Sequence, residues 1–184
     1  MNALPRCVPR LVALLIACGL AARATAAAAD DPSVERHGSI VADLGLTVIH
    51  LGYQQPIGRH LAVSLTAGIF GTYFLPWFDL GDDVKGVGGG LRGTWFARET
   101  GRGFYVAPYV RAQRVSGTHG GLDGTGPGIT AGGFAGWAFG IGRKLDVQLG
   151  LGAQYIYQSI KTSAGKQTSS TPFLAIDLVV GYRL

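Results

Sequence analysis

From Ser39 onward, apolar positions recur every second residue rather than every 3.6. Between Leu145 and Tyr157 the odd positions are Leu145, Val147, Leu149, Leu151, Ala153, Tyr155 and Tyr157. The even ones are Asp146, Gln148, Gly150, Gly152, Gln154 and Ile156. Successive strand side chains point to opposite faces, so the segment predicts a strand with one unbroken apolar stripe. It is longer than the five or six residues usual in soluble sheets and long enough to cross a bilayer when tilted. The same alternation runs from Leu61 (Leu61, Val63, Leu65, Ala67, Ile69), from Val87 (Val87, Leu91, Trp95) and from Phe104 (Phe104, Val106, Pro108, Val110, Ala112). It returns from Ile129 (Ile129, Ala131, Gly133, Ala135, Trp137, Phe139, Ile141) and from Leu174 to Leu184.

In the first region the phase shifts. Ile40, Ala42 and Leu44 are apolar on even numbers, whereas Ile49, Leu51 and Tyr53 are apolar on odd ones. A turn at Gly45-Leu46 accounts for the shift and gives two strands, eight in all. Connections alternate in length. Pro56 to Arg59, Glu99 to Arg102 and Gly142 to Lys144 are short, while Leu75 to Asp83, Ser116 to Gly126 and Ser159 to Ser169 predict longer polar or glycine-rich loops. Both termini then fall at the end that carries the short turns.

Two folds bury such stripes: a soluble lipocalin-like barrel with apolar faces inward, and a membrane barrel with them outward. The polar faces decide between them. They are crowded with Gly68, Gly86, Gly88, Gly90, Gly132, Gly136, Gly140, Gly150 and Gly152 rather than with Lys and Glu, which suits a cramped interior better than a water-exposed exterior. In hydrocarbon every backbone N–H and C=O needs an internal partner, which only helices and closed barrels provide. The reading is therefore all-β: an eight-stranded antiparallel up-and-down transmembrane β-barrel over residues 39–184, in contact with outer-membrane lipids. Tyr53, Tyr73, Trp95, Trp137, Tyr155, Tyr157 and Tyr182 fall near strand ends on the apolar face, where an aromatic girdle belongs.

Composition agrees. Glycine supplies 30 of 184 residues, more than twice the ordinary share of about 7%. Both cysteines lie in the first 18 residues, which excludes a disulfide scaffold and a cysteine zinc site. Arg6 and Arg10, the apolar stretch Leu11 to Ala22 and the small residues Ala24 to Ala29 have the order of a secretory signal. Residues 1–28 are thus expected to be a cleavable signal peptide and 29–38 a short linker. Leu15-Ile16-Ala17-Cys18-Gly19 resembles a lipoprotein box, but the apolar run continues past Cys18 into an ordinary cleavage site. Cleavage removes Arg6, Arg10 and Arg23, leaving 13 basic and 11 acidic residues, a net +2. So slight an excess gives no reason to expect nucleic acid as a partner.

Ser39 to Ile57 resembles the opening hairpin of the small bacterial outer-membrane β-barrel superfamily, and the end of the chain, Asp177 to Leu184, is similar to that superfamily's C-terminal insertion signal. Tyr182 and Leu184 match its last two apolar positions, whereas Val179 stands where the signal has glycine and Leu184 where it ends in phenylalanine. The resemblance implies an outer-membrane location and insertion by the barrel-assembly machinery. It says little of activity, because the superfamily holds adhesins, anchors and lipid-modifying enzymes.

Candidate chemistry lies on the inward faces: Asp43, His50, Arg92, Arg111, Asp146 and Asp177, joined by Arg183, Gln54, Gln113, Gln148 and Gln154. Charges in a confined lumen must pair, so these predict a polar network that plugs the barrel rather than a solute pore. A narrow ion path is the alternative. A lipid A deacylase-like enzyme would need a serine, a histidine and an acid within reach on the lipid face. His50 and His60 are in inward phase, His37 precedes the barrel and His119 is in a loop, so no enzyme is expected; a structural or surface-interaction role is the reading, with a lipid-modifying enzyme as the runner-up and a narrow channel as the third. Asp79, Asp82 and Asp83 lack the spacing of an EF-hand. The glycine runs open no helix and complete no phosphate loop. No cofactor or metal is expected.

Overall fold

Alternation of small or polar residues with β-branched, aliphatic and aromatic ones favours extended backbone, and in the computed structural model all eight predicted segments are strands. The structure describes residues 38–71, 84–119, 122–163 and 165–184. The N-terminal segment, Tyr73 and the Asp79, Asp82 and Asp83 cluster lie outside the described residues. The strands are β1 (Ser39–Gly45), β2 (Val48–Pro56), β3 (Leu61–Gly71), β4 (Val84–Phe96), β5 (Gly103–His119), β6 (Leu122–Ile141), β7 (Leu145–Thr162) and β8 (Gly165–Arg183). Each pairs antiparallel with its sequence neighbour, and β1 pairs with β8 to close the barrel.

The register fixes the barrel's proportions. Stepping through paired residues from Val179 on β8 leads to Asp43, His50, Gly68, Gly88, Gln113, Gly128 and Gln158, and back to β8 at Ser169, ten residues from the start. Eight strands with that stagger must tilt steeply, by about 45°. Proline marks the two gaps in the ladders. The β4–β5 pairing skips Pro108, and the β6–β7 pairing skips Pro127, because proline has no N–H to donate.

The two faces separate as the alternation requires. Along β5, Tyr105, Ala107, Tyr109, Arg111 and Gln113 are buried, while Phe104, Val106, Pro108, Val110 and Ala112 are exposed on the outer wall. Leu51, Leu65, Leu151 and Leu174 are 65–79% exposed, part of an outward apolar belt. On β8 the belt runs from Pro172 to Tyr182, ~33 Å of strand, or about 23 Å along the axis at this tilt. Inside, Phe96, Tyr105, Tyr109 and Phe134 cluster with Ala62, Ala107, Ala138 and Ala175, while Val48, Phe70 and Val115 form a second cluster near the hairpin end.

Inward glycines are a condition for closing this wall. A Cβ at Gly52, Gly68, Gly136 or Gly152 would fall within 3.0 Å of a backbone carbonyl oxygen on the neighbouring strand. On the outer wall Gly93 has nothing within 4 Å, and nothing comes nearer than 3.8 Å to a Cβ at Gly133. The turn end uses glycine differently. Gly101 and Gly142 have φ of +82° and +63°, a backbone region costly for side-chain-bearing residues.

Two of the three long loops are strands instead. β5 and β6 stay paired from Gly103 with Ala138 to His119 with Leu122, and β7 and β8 from Leu145 with Tyr182 to Thr162 with Gly165. Ser116 to Gly126 and Ser159 to Ser169 are therefore almost wholly laddered. Thr168, Ser169, Ser170 and Thr171 are all exposed, on the part of β8 that lies beyond its pairing with β1, while Thr125 still pairs with Lys161, so the β5–β6 and β7–β8 ribbons stay joined along β6 and β7.

Candidate functional site

The lumen is crossed by ion pairs that join strands far apart in the wall. Arg92 on β4 reaches Asp177 on β8 with a two-pronged contact, Nη1 donating to Oδ1 and Nη2 to Oδ2, each at 2.7 Å. A carboxylate matches the guanidinium fork in this way, making the strongest ordinary form of the contact. Nη2 also donates to Gln148 Oε1 at 3.0 Å and Nε to Thr94 Oγ1 at 3.1 Å. Tyr105 donates to Asp177 Oδ2 at 2.5 Å. The guanidinium lies 5.6 Å from the ring centre of Tyr105 and 5.5 Å from that of Phe134, within range of cation–π attraction. Asp177 is fully buried.

The local sequence explains how a side chain on β5 reaches one on β8. Tyr105, Gly136, Gly150 and Asp177 form one row of paired residues across β5, β6, β7 and β8. A Cβ at Gly150 would lie 2.5 Å from the Tyr105 hydroxyl, so the phenol lies over the glycines to meet the carboxylate. Tyr109 repeats the device one level up, spanning Gly132 to donate to Gln154 Oε1 at 2.7 Å and stacking on Phe134 with centroids 4.9 Å apart.

A second buried pair joins β5 to β1. Arg111 Nη2 donates to Asp43 Oδ2 at 2.7 Å, and its guanidinium sits 4.3 Å from the Tyr109 ring centre. His50 and Thr66 share a hydrogen bond of 3.3 Å close by. This level is less completely paired: Asp43 Oδ1, His50 Nε2, Gln113 Nε2 and Thr130 Oγ1 are buried with no partner among the described residues. At the turn end, Arg183 Nε donates to Asp146 Oδ2 at 2.6 Å and Nη2 donates to Oδ1, with the arginine side chain 30% exposed.

All six charged and imidazole residues singled out for the lumen point inward, and they form three separate groups rather than one network. Tyr105 and Tyr109, which tie the pairs to β7 and β8, were missed as network members. Their inward phase was visible, but aromatic rings read as filling unless the glycines opposite them are noticed. His60 is a correction: it lies exposed in the turn before β3 and donates to Phe96 O at 3.0 Å, because the chain leaves strand geometry there and the period-two phase no longer applies.

The outward aromatics occupy two levels. Tyr53, Trp95, Trp137 and Tyr182 stand toward the turn end, joined by Phe104 and Phe139, while Tyr155 and Tyr157 stand toward the hairpin end. Tyr182 and Leu184 are 45% and 59% exposed on the outer face. No family model matches the chain, and no curated protein matches it. Among solved structures the chain is similar to a major outer membrane protein from Thermus thermophilus, with 19% identity and a TM-score of 0.48 over 82% of this chain and 100% of that one.

Proposed function

We propose that this chain is an integral outer-membrane β-barrel whose role is structural or surface-interacting rather than catalytic, with a lumen closed by its own side chains. The observation that carries the reading is the outward belt. Hydrocarbon is the solvent in which a closed wall of exposed Leu, Ile, Val and Phe is stable, and the belt's height of about 23 Å matches the roughly 25 Å apolar band of such barrels. The buried Arg92–Asp177 and Arg111–Asp43 pairs, with Phe96, Tyr105, Tyr109 and Phe134 around them, support a plug rather than a pore. Reconstituted in planar bilayers, the protein is expected to give a flat current trace. Discrete openings in the wild type would reverse that part of the reading.

In this proposal residues 1–28 are a cleaved signal peptide, Tyr182 and Leu184 present the C-terminus to the assembly machinery, and the short turns face the periplasm. The β5–β6 and β7–β8 ribbons then stand outside the cell as the surface-interacting part. Cell fractionation is expected to recover the protein with the outer membrane, as a band whose gel mobility changes on boiling. A Ser163→Cys variant is expected to react with a membrane-impermeant maleimide on intact cells, whereas Arg143→Cys reacts only after lysis. The opposite labelling pattern would invert the topology, and a soluble, heat-insensitive band would remove the membrane assignment.

A further inference from the structure

Among the described residues, the end of the barrel that carries the short turns is strongly basic. The three turns present Arg59, Arg98, Arg102, Arg143 and Lys144, all exposed, against one exposed acid, Glu99, which lies 3.4 Å from Arg102. Elsewhere in the lumen and at its mouth the bases are committed: Arg92 and Arg111 are buried against carboxylates, and Arg183 pairs with Asp146. We propose that this rim is a binding collar for the headgroups of anionic phospholipids in the leaflet that meets the turns. The proposal rests on the membrane reading above.

Three observations support it. First, the rim is built rather than loose. Thr100 N donates to Arg59 O at 2.8 Å, Thr100 Oγ1 donates to Gly58 O at 3.1 Å, and Phe96 N donates to His60 O at 2.8 Å, so the first two turns are tied to each other. Arg183 N donates to Lys144 O at 2.8 Å, tying the third turn to β8. Second, the charges adjoin the lipid-facing belt. The Lys144 ammonium lies 5.4 Å from the ring centre of Tyr182, one of the outward aromatics of that end, and Ile141, Leu145 and Leu184 beside it are exposed apolar residues. An aromatic ring at the level of the headgroups with a cation above it is how a side chain meets the lipid interface. Third, clustered basic residues beside a bilayer surface draw acidic lipids additively, with a reach set by salt. The hairpin end spreads its exposed bases among the described residues more thinly. Lys85 and Arg114 stand on the adjacent strands β4 and β5, while Lys161 and Lys166 face each other near the tip of the β7–β8 ribbon, well above Tyr155 and Tyr157.

Tryptophan fluorescence reads this directly, because Trp95 and Trp137 stand on the outer wall at the turn end. With Trp77 replaced by phenylalanine, the full mature protein is reconstituted in phosphatidylcholine vesicles doped with either brominated phosphatidylglycerol or brominated phosphatidylcholine at equal mole fraction. At low salt, brominated phosphatidylglycerol is expected to quench several-fold more efficiently, and 1 M NaCl is expected to erase the difference. The Arg98→Gln/Arg102→Gln/Arg143→Gln/Lys144→Gln variant is expected to lose the preference, and Lys161→Gln/Lys166→Gln to keep it. If the fourfold variant does not fold, the salt titration of the wild-type rim still decides. Equal, strong quenching by both lipids would overturn the collar while leaving the membrane barrel intact. Quenching by neither would overturn the membrane reading itself.

Discussion

Gly136→Ala is expected to leave no folded barrel. The added Cβ would fall within 3.0 Å of Leu149 O and of Gly150 Cα, and both are backbone atoms of a strand held in register on each side. No rotamer change relieves such a contact; the β6–β7 ladder itself must part. Overpacking a core ordinarily costs ~1–3 kcal/mol where side chains can yield, so with backbone in the way the cost should exceed ~3 kcal/mol, a large share of the stability of a small domain. The expected readout is loss of the heat-modifiable band and of urea-resistant tryptophan emission. Gly93→Ala adds the same methyl to the outer wall, where nothing lies within 4 Å, and is expected to fold as the wild type does. Equal behaviour of the two variants would show that glycine's place in the wall is compositional and not steric.

That contrast also shows how far the sequence could be read. Period-two alternation located all eight strands, and the phase shift between Leu44 and Ile49 placed a turn at Gly45-Leu46, one residue short of the observed Leu46 and Thr47, because Gly45 still pairs with Val48 as the last residue of β1. Which residues face inward was equally legible, because strand geometry converts parity into side. Three things were not. Polar composition in Ser159 to Ser169 suggested a loop, yet a ladder needs only backbone groups, and consecutive exposed residues such as Thr168 and Ser169 have no apolar stripe to announce them. The inward glycines were visible, but their reason was read as lumen volume. The nearer obstacle is the carbonyl of the adjacent strand, which depends on a stagger of ten residues that no single strand reveals. The pairing of charges was the third. Asp177, Arg92, Arg111 and Asp43 were all identifiable as inward, but the partnership of Arg92 with Asp177 rather than Asp43 follows from the tilt, which sets the height of each side chain in the lumen.

The Arg92–Asp177 pair supplies the other large effect. Asp177→Ala is expected to destabilise the barrel by about 3–5 kcal/mol, the usual result of leaving one member of a buried ion pair without its partner. The loss is compounded here because Tyr105 and Arg92 both donate to the same carboxylate, so the variant strands a phenol as well as a guanidinium in a site with almost no solvent access. The cost reflects what remains rather than what the pair contributes in the wild type. Replacing both members, as Arg92→Met/Asp177→Leu, is therefore expected to recover much of the loss, with the double variant more stable than Asp177→Ala alone. Arg183→Gln breaks the comparable contact to Asp146 at the partly exposed turn end, where water can solvate the abandoned carboxylate, and is expected to cost no more than ~1 kcal/mol. Urea midpoints in vesicles across these variants provide the comparison. If Asp177→Ala and Arg183→Gln shift the midpoint alike, the two sites share one solvent environment, and the interior cannot be the closed plug proposed for it.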